Sequence, residues 1–271
     1  MDMLGHVNNV TYLDYLQEAR IDLFATHDAF RGRLERTEGV VVVDYQVEFL
    51  APLVFRRRPV SVDIWVSDVR TASFRMHYEV YDGNPEARTV YLRASSTMTP
   101  LVFETRRPRR LTDDERELLA ELTEETPQRE SIASPTPAAT TSVPIKVRFT
   151  DLDMFGHVNN VQFFELFQEA RIAYLMDLHT KGEAWAAHVV ARTDIDYRQS
   201  IRLRRTPYDV HNWISRLGSR SFTISSQIRD GDEVLATAHV VMVTFDESTQ
   251  RSTEMPADQR RALAALVQSS S

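Results

Sequence analysis

Two short blocks carry residue types from which hydrolytic chemistry can be built. One is Asp153-Met-Phe-Gly156-His157-Val-Asn159-Asn160; the other, nearly letter for letter, is Asp2-Met-Leu-Gly-His6-Val-Asn8-Asn9. Each offers a carboxylate, a glycine that permits a close approach, an imidazole, and two asparagines where an apolar-periodic segment begins. A helix start exposes unpaired N–H groups and partial positive charge, which suits an oxygen that becomes negative. A carboxylate beside such an end can activate water, or attack a carbonyl itself, while the N–H groups hold the oxyanion. That is acyl-transfer chemistry without serine, cysteine or metal. The candidate catalytic residues are Asp153 and Asp2, with His157 and His6 beside them. Asn159, Asn160, Asn8 and Asn9 are the candidate caps that orient the helix starts.

Composition narrows the chemistry further. The chain has no cysteine, which excludes disulfides, thiolate nucleophiles and cysteine-ligated metals. Its eight histidines are scattered without metal-ligand spacing, so neither a metal nor a cofactor is expected. A formal charge of −7 argues against nucleic acid and anionic membranes as partners. No run approaches the roughly twenty apolar residues of a membrane-spanning helix. Met1 leads straight into the first block instead of a basic and apolar leader, so a cytoplasmic location is expected.

The elements that must position these blocks recur with them. Val10, Leu13, Leu16, Ala19 and Leu23 follow one block at spacings of three and four, and Val161, Phe164, Phe167, Ala170 and Tyr174 follow the other, predicting an amphipathic helix that is mostly buried. Period-two segments come next, 40–49, 60–66, 73–81 and 89–98, with counterparts 188–197, 208–217, 221–228 and 234–245. Asp82-Gly83 and Asp230-Gly231 mark turns between the last two strands of each set. A long helix followed by an antiparallel meander is an α+β pattern in which the sheet must curl around the helix. Both copies repeat Glu-Ala-Arg, at Glu18–Arg20 and Glu169–Arg171; two positions apart on a helix, each acid and arginine must find a different partner.

Length and linker composition set the organisation. The 271 residues suffice for two domains with their own cores. Segment 124–143, rich in Pro, Ser, Thr and Ala, reads as a linker between domain 1 (1–123) and domain 2 (144–271). The second copy has a strand-like segment, 144–152, ahead of its block; the first begins at Met1 where Leu152 aligns, so it is expected to lack an opening strand.

The string Arg148-Phe-Thr-Asp151-Leu-Asp153-Met-Phe-Gly156-His157-Val-Asn159-Asn160-Val-Gln-Phe163, with Glu169-Ala-Arg171, resembles the 4-hydroxybenzoyl-CoA thioesterase branch of the hotdog-fold acyl thioesterases. It is also similar to the Asp…His-Val-Asn-Asn segment of acyl-carrier-protein thioesterases. The resemblance implies two tandem hotdog domains docked as a pseudo-dimer, with further homo-oligomerisation left open. It implies that Asp153 is the catalytic carboxylate and that the backbone N–H near Asn160 polarises the thioester carbonyl, with Asp2 and Asn9 doing the same in copy one. The carrier-protein enzymes place an asparagine where this chain has Phe155 and Leu4, which favours acyl-CoA over an acyl-carrier-protein substrate. The arginine turns before Pro59 and Pro207 supply Arg57, Arg58, Arg204 and Arg205 as candidate CoA-phosphate ligands, against the plainer reading of a solvated hairpin. A hotdog hydratase or dehydratase is the rival enzyme, but its Asp-x-Asn-Pro-x-His and His-Phe-x-x-Pro patterns are absent. A non-catalytic acyl-thioester-binding module is the other rival.

Overall fold

The computed structural model describes residues 7–31, 37–54, 57–84, 87–132, 140–179 and 185–267, so Asp2 and His6 lie outside the described residues. The chain divides into two units, Met1–Glu130 and Ser131–Ser271. Unit 1 contains α1 (Asn9–Thr26), α2 (Asp28–Arg31), β1 (Glu38–Phe49), β2 (Ser61–Ser67), β3 (Phe74–Asp82), β4 (Thr89–Val102), β5 (Arg107–Pro108) and α3 (Asp113–Glu121). Unit 2 contains β6 (Thr141–Ile145), a 3-10 turn (Phe149–Asp151), α4 (Gln162–His179), β7 (His188–Tyr197), β8 (Tyr208–Leu217), β9 (Ser221–Asp230), β10 (Glu233–Asp246), β11 (Arg251–Ser252) and α5 (Ala257–Ala264). Among the described residues, no helix is long and apolar enough to cross a membrane.

In each unit the long helix is laid on an antiparallel sheet. In unit 1 the strand order is β2-β3-β4-β1, and in unit 2 it is β6-β8-β9-β10-β7. The period-two pattern does what it predicts: Phe74, Met76, Tyr78 and Val80 on alternate positions of β3 are buried. Tyr45 and Tyr78 both meet Arg20 of α1, which places this face of the sheet against the helix. Unit 2 packs Tyr174 with Ile214, Phe222, Ile224, Val240 and Met242 in the same layer. Gly83 and Gly231 adopt φ of 94° and 60° in the turns the sequence marks, a conformation that costs glycine nothing.

Two expectations are corrected. The opening strand of copy two is Thr141–Ile145, earlier than 144–152, and it starts inside the segment read as linker. The chain leaves the sheet because the Arg148 N–H is taken by Asp151 Oδ2 at 2.6 Å and the residues after it turn. Nor is the long helix mostly buried. A sheet covers only a stripe of a helix, so Phe163, Phe167, Ala170 and Tyr174 are buried while Ile172 and Met176 stay 49% and 63% exposed.

An irregularity shared by the two sheets positions the loops before the helices. The pairing of β10 with β9 slips between Val234 and Ala236, and that of β3 with β4 slips at the matching place, between Val80 and Tyr81. A bulge turns one carbonyl out of the ladder. Leu235 O accepts from Arg198 N–H and Gln199 N–H, both at 2.9 Å, and Tyr91 O accepts from Leu50 N–H and Ala51 N–H at 2.8 and 3.4 Å. In both units the bulge thereby anchors the segment that leaves the strand after the helix, and that segment holds the loop before the helix.

Candidate active site

The anchored segment reaches the conserved block by one backbone bond. Val158 N–H donates to Ile201 O at 2.8 Å, and Val7 N–H donates to Leu53 O at 2.8 Å in unit 1. From there the loop turns on its own aspartate. Asp153 N–H donates to His157 O at 2.7 Å, while Asp153 Oδ1 accepts from the N–H groups of Phe155 (2.8 Å) and His157 (3.1 Å). The half-buried carboxylate is therefore fixed through one oxygen, and its Oδ2 has no hydrogen-bond partner among the described residues. Gly156 allows the reversal at φ +76°, and a Cβ there would meet nothing within 4 Å. His157 contributes its main chain to this turn and also pairs with Arg202 across the loop.

The asparagines do not share one task. Asn159 Oδ1 caps Val161 N–H at 3.0 Å, as Asn8 Oδ1 caps Val10 N–H at 2.9 Å. Asn159 O takes Gln162 N–H at 2.9 Å, as Asn8 O takes Thr11 N–H at 3.0 Å. Asn159 N–H in turn donates to Asp151 O at 2.9 Å. These bonds occupy the neighbours of Asn160 and leave its own N–H without an acceptor among the described residues. Asn9 stands at the equivalent place as the first residue of α1. Loop carboxylate and helix start are thus brought together within a few residues, with an open carboxylate oxygen on one and an open N–H on the other.

The arginines separate. Arg204 spends its guanidinium on Asp230 (2.7 Å), Thr206 O (3.0 Å) and Pro207 O (2.8 Å), and lies 3.5 Å over the Tyr208 ring. It is a brace for its hairpin. Arg205, Arg57 and Arg58 are exposed, as is Arg202 beside the loop, the first residue of the same arginine turn. The Glu-Ala-Arg repeats separate too: Glu169 pairs with Arg148 at 2.8 Å, Arg20 bonds the Tyr45 and Tyr78 hydroxyls at 2.5 and 3.3 Å, and buried Arg171 has no partner among the described residues. A cleft of about 310 Å³ adjoins the loop between Arg148, Asp151, Gln162, Glu165, Leu166 and Glu169. Asp153 does not line it, and Leu166 is its one large apolar wall, so it is not shaped to receive an acyl chain. Among the described residues, no cluster of three or more His, Asp and Glu could hold a metal ion.

Likeness to known proteins decides the family. A model of the thioesterase-like superfamily matches residues 1–124 and again 147–263. The chain belongs to that superfamily. It is a thioester hydrolase of acyl thioesters, built as two tandem hotdog segments. Among curated proteins it is 29% identical over 128 residues to the long-chain acyl-CoA thioesterase FadM of Escherichia coli, matching 45% of this chain and 96% of that protein. It is 30% identical over 125 residues to the uncharacterized protein YsmA of Bacillus subtilis, 44% of this chain and 82% of that one. Solved structures extend the likeness to both units. An oleoyl thioesterase (putative) from Lactobacillus plantarum superposes with a TM-score of 0.68 at 18% identity over 90% of each chain. The 12:0-ACP thioesterase of Umbellularia californica superposes at 0.69 and 14%, over 90% of this chain and 93% of that one. At these identities the structures speak for the fold.

Proposed function

We propose that the protein hydrolyses acyl-CoA thioesters, with Asp153 as the carboxylate that activates water and the Asn160 N–H as a donor to the oxyanion. The observation that carries this reading is the loop geometry: one carboxylate oxygen is held by two loop N–H groups and the other is unengaged, beside a helix start whose Asn160 N–H has no acceptor among the described residues. In the reaction, Asp153 takes a proton from water as the water oxygen bonds to the thioester carbon. The carbonyl electrons move onto oxygen and are held by Asn160 N–H and the positive end of α4. Collapse of the intermediate breaks the C–S bond, and the departing thiolate recovers the proton, giving a carboxylic acid and a free thiol. Asp2 and Asn9 take the same parts in copy one. Exposed Arg205 and Arg202, with Arg57 and Arg58 in unit 1, are suited to CoA phosphates, and FadM is itself an acyl-CoA enzyme.

Thiol release across short, medium, long and aromatic acyl-CoAs, with an acyl-carrier-protein and an enoyl-CoA hydration assay alongside, tests the substrate class. Asp153→Asn combined with Asp2→Asn should retain the fold and lose about a hundredfold or more of kcat, because an amide is no base at neutral pH. Turnover within a few-fold of the parent would remove aspartate from the mechanism.

A further inference from the structure

The two copies place one phenol each in the same aromatic pair, but on opposite partners. In unit 1, Tyr12 of α1 meets Phe49 of β1 edge-on at 5.9 Å, and its hydroxyl accepts from Leu53 N–H at 3.2 Å. In unit 2, Phe163 of α4 meets Tyr197 of β7 edge-on at 5.0 Å, and the Tyr197 hydroxyl donates to Asn160 O at 2.8 Å. The ring packing is common to both, whereas the hydrogen bond is not. The helix starts differ as well. α1 begins at Asn9, but α4 begins at Gln162, two residues later than the position equivalent to Asn9. Phe164 N–H donates to Val161 O at 3.0 Å, so the ladder passes over the Asn160 carbonyl and Tyr197 satisfies it instead.

We propose that Tyr197 is a positioning residue for the reaction. It draws the Asn160 carbonyl out of the first turn of α4 and thereby fixes Asn160 with its N–H available to the thioester oxyanion. The residue is held from both sides: Asn159 is tied to Asp151 O and to Val161 N–H, and the Asn160 carbonyl is tied to Tyr197. What remains unengaged between those anchors is the N–H. A donor fixed before the reaction needs no reorganisation as charge develops, which is where such groups gain their effect. Copy one has Phe49 at this place and no equivalent bond, so the two sites differ in how firmly the donor is set. The inference rests on the roles proposed above for Asp153 and Asn160, and the experiment keeps the two separable.

An Asp2→Asn background confines turnover to copy two. In it, loss of thiol release on adding Asp153→Asn supports the underlying reading, and retention defeats that reading. Tyr197→Phe keeps the ring and deletes the hydroxyl, reproducing what Phe49 already does in a folded unit. It should lower kcat about tenfold, the worth of roughly 1.4 kcal/mol, and leave KM within about twofold. Affinity for an acyl-CoA analogue in which a phosphonate group replaces the thioester carbonyl, and so presents a tetrahedral anionic oxygen, should fall by a similar factor, while an S-alkyl-CoA thioether, which has no such oxygen, should bind as before. A merely structural hydroxyl would leave kcat unchanged or weaken both analogues alike, and either result overturns the proposal. Tyr197→Phe with Phe163→Tyr restores a hydroxyl to the pair on the copy-one side; it should not recover kcat, and full recovery would equally overturn the assignment.

Discussion

Arg20 and Arg171 occupy the same place in identical Glu-Ala-Arg repeats, yet their removal should move stability in opposite directions. Burial pulls the Arg171 guanidinium down to about 10 from an ordinary 12.5, with no partner among the described residues to offset it. At about 1.4 kcal/mol per pKa unit, that drop corresponds to roughly 3 kcal/mol by which the folded state disfavours the charge. Arg171→Met keeps most of the aliphatic stem and deletes the charge, so unit 2 should gain about 1–3 kcal/mol after some packing is lost. Arg20 is equally buried, but the Tyr45 and Tyr78 hydroxyls around it more than offset the burial, and its affinity for the proton stands above the ordinary value. Arg20→Met removes one charge-assisted hydrogen bond from each of two buried phenols, of which Tyr78 keeps Ser96 Oγ at 3.3 Å, and should cost about 2–4 kcal/mol. Urea and thermal unfolding of both variants, followed by intrinsic fluorescence, would measure this. A loss from Arg171→Met as large as that from Arg20→Met would show that Arg171 is neutralised after all, and would refute the reasoning.

Acid should destabilise the fold through its buried histidines. Burial holds His77 and His188 at about 4, below the unfolded value of 6.5, so the folded state binds fewer protons in that interval. Stability should be level above pH 6.5 and fall as pH drops from 6.5 toward 4, and His77→Gln should flatten the decline in urea midpoints. Gly156→Ala adds a Cβ that meets nothing, so its cost is the backbone strain at φ +76°, about 1–2 kcal/mol; kcat should fall with the loop, and an unchanged kcat would mean the reversal at Gly156 does not set Asp153. Arg205→Ala with Arg202→Ala should raise KM for an acyl-CoA and spare a short thioester that lacks the nucleotide, while equal KM values on the CoA substrate would make these arginines a solvated rim.

Much of the scaffold was legible from side-chain periodicity, since alternate positions of a strand face opposite sides and positions three and four apart share a helix face. Strands 40–49, 73–81 and 188–197 emerged within a few residues of β1, β3 and β7 for that reason. The polar block stood out by repetition, as Asp, Gly, His and Asn have no packing reason to recur together. The start of β6 escaped because Thr141–Ile145 alternates too briefly to stand out and becomes a strand only by pairing with β8.

The features legible in the chain alone were therefore local: two copies, their helices and strands, the cap at Asn8 and Asn159, and the carboxylate before each helix. Folding in three dimensions set everything that depends on a partner far along the chain. It made Arg204 a brace by bringing Asp230 to it, gave Arg20 two phenols while Arg171 has no partner among the described residues, and set Tyr197 on the carbonyl of Asn160. Identical tripeptides acquired different energies because a buried charge or carbonyl takes its free energy from the groups that surround it, and those come from other strands.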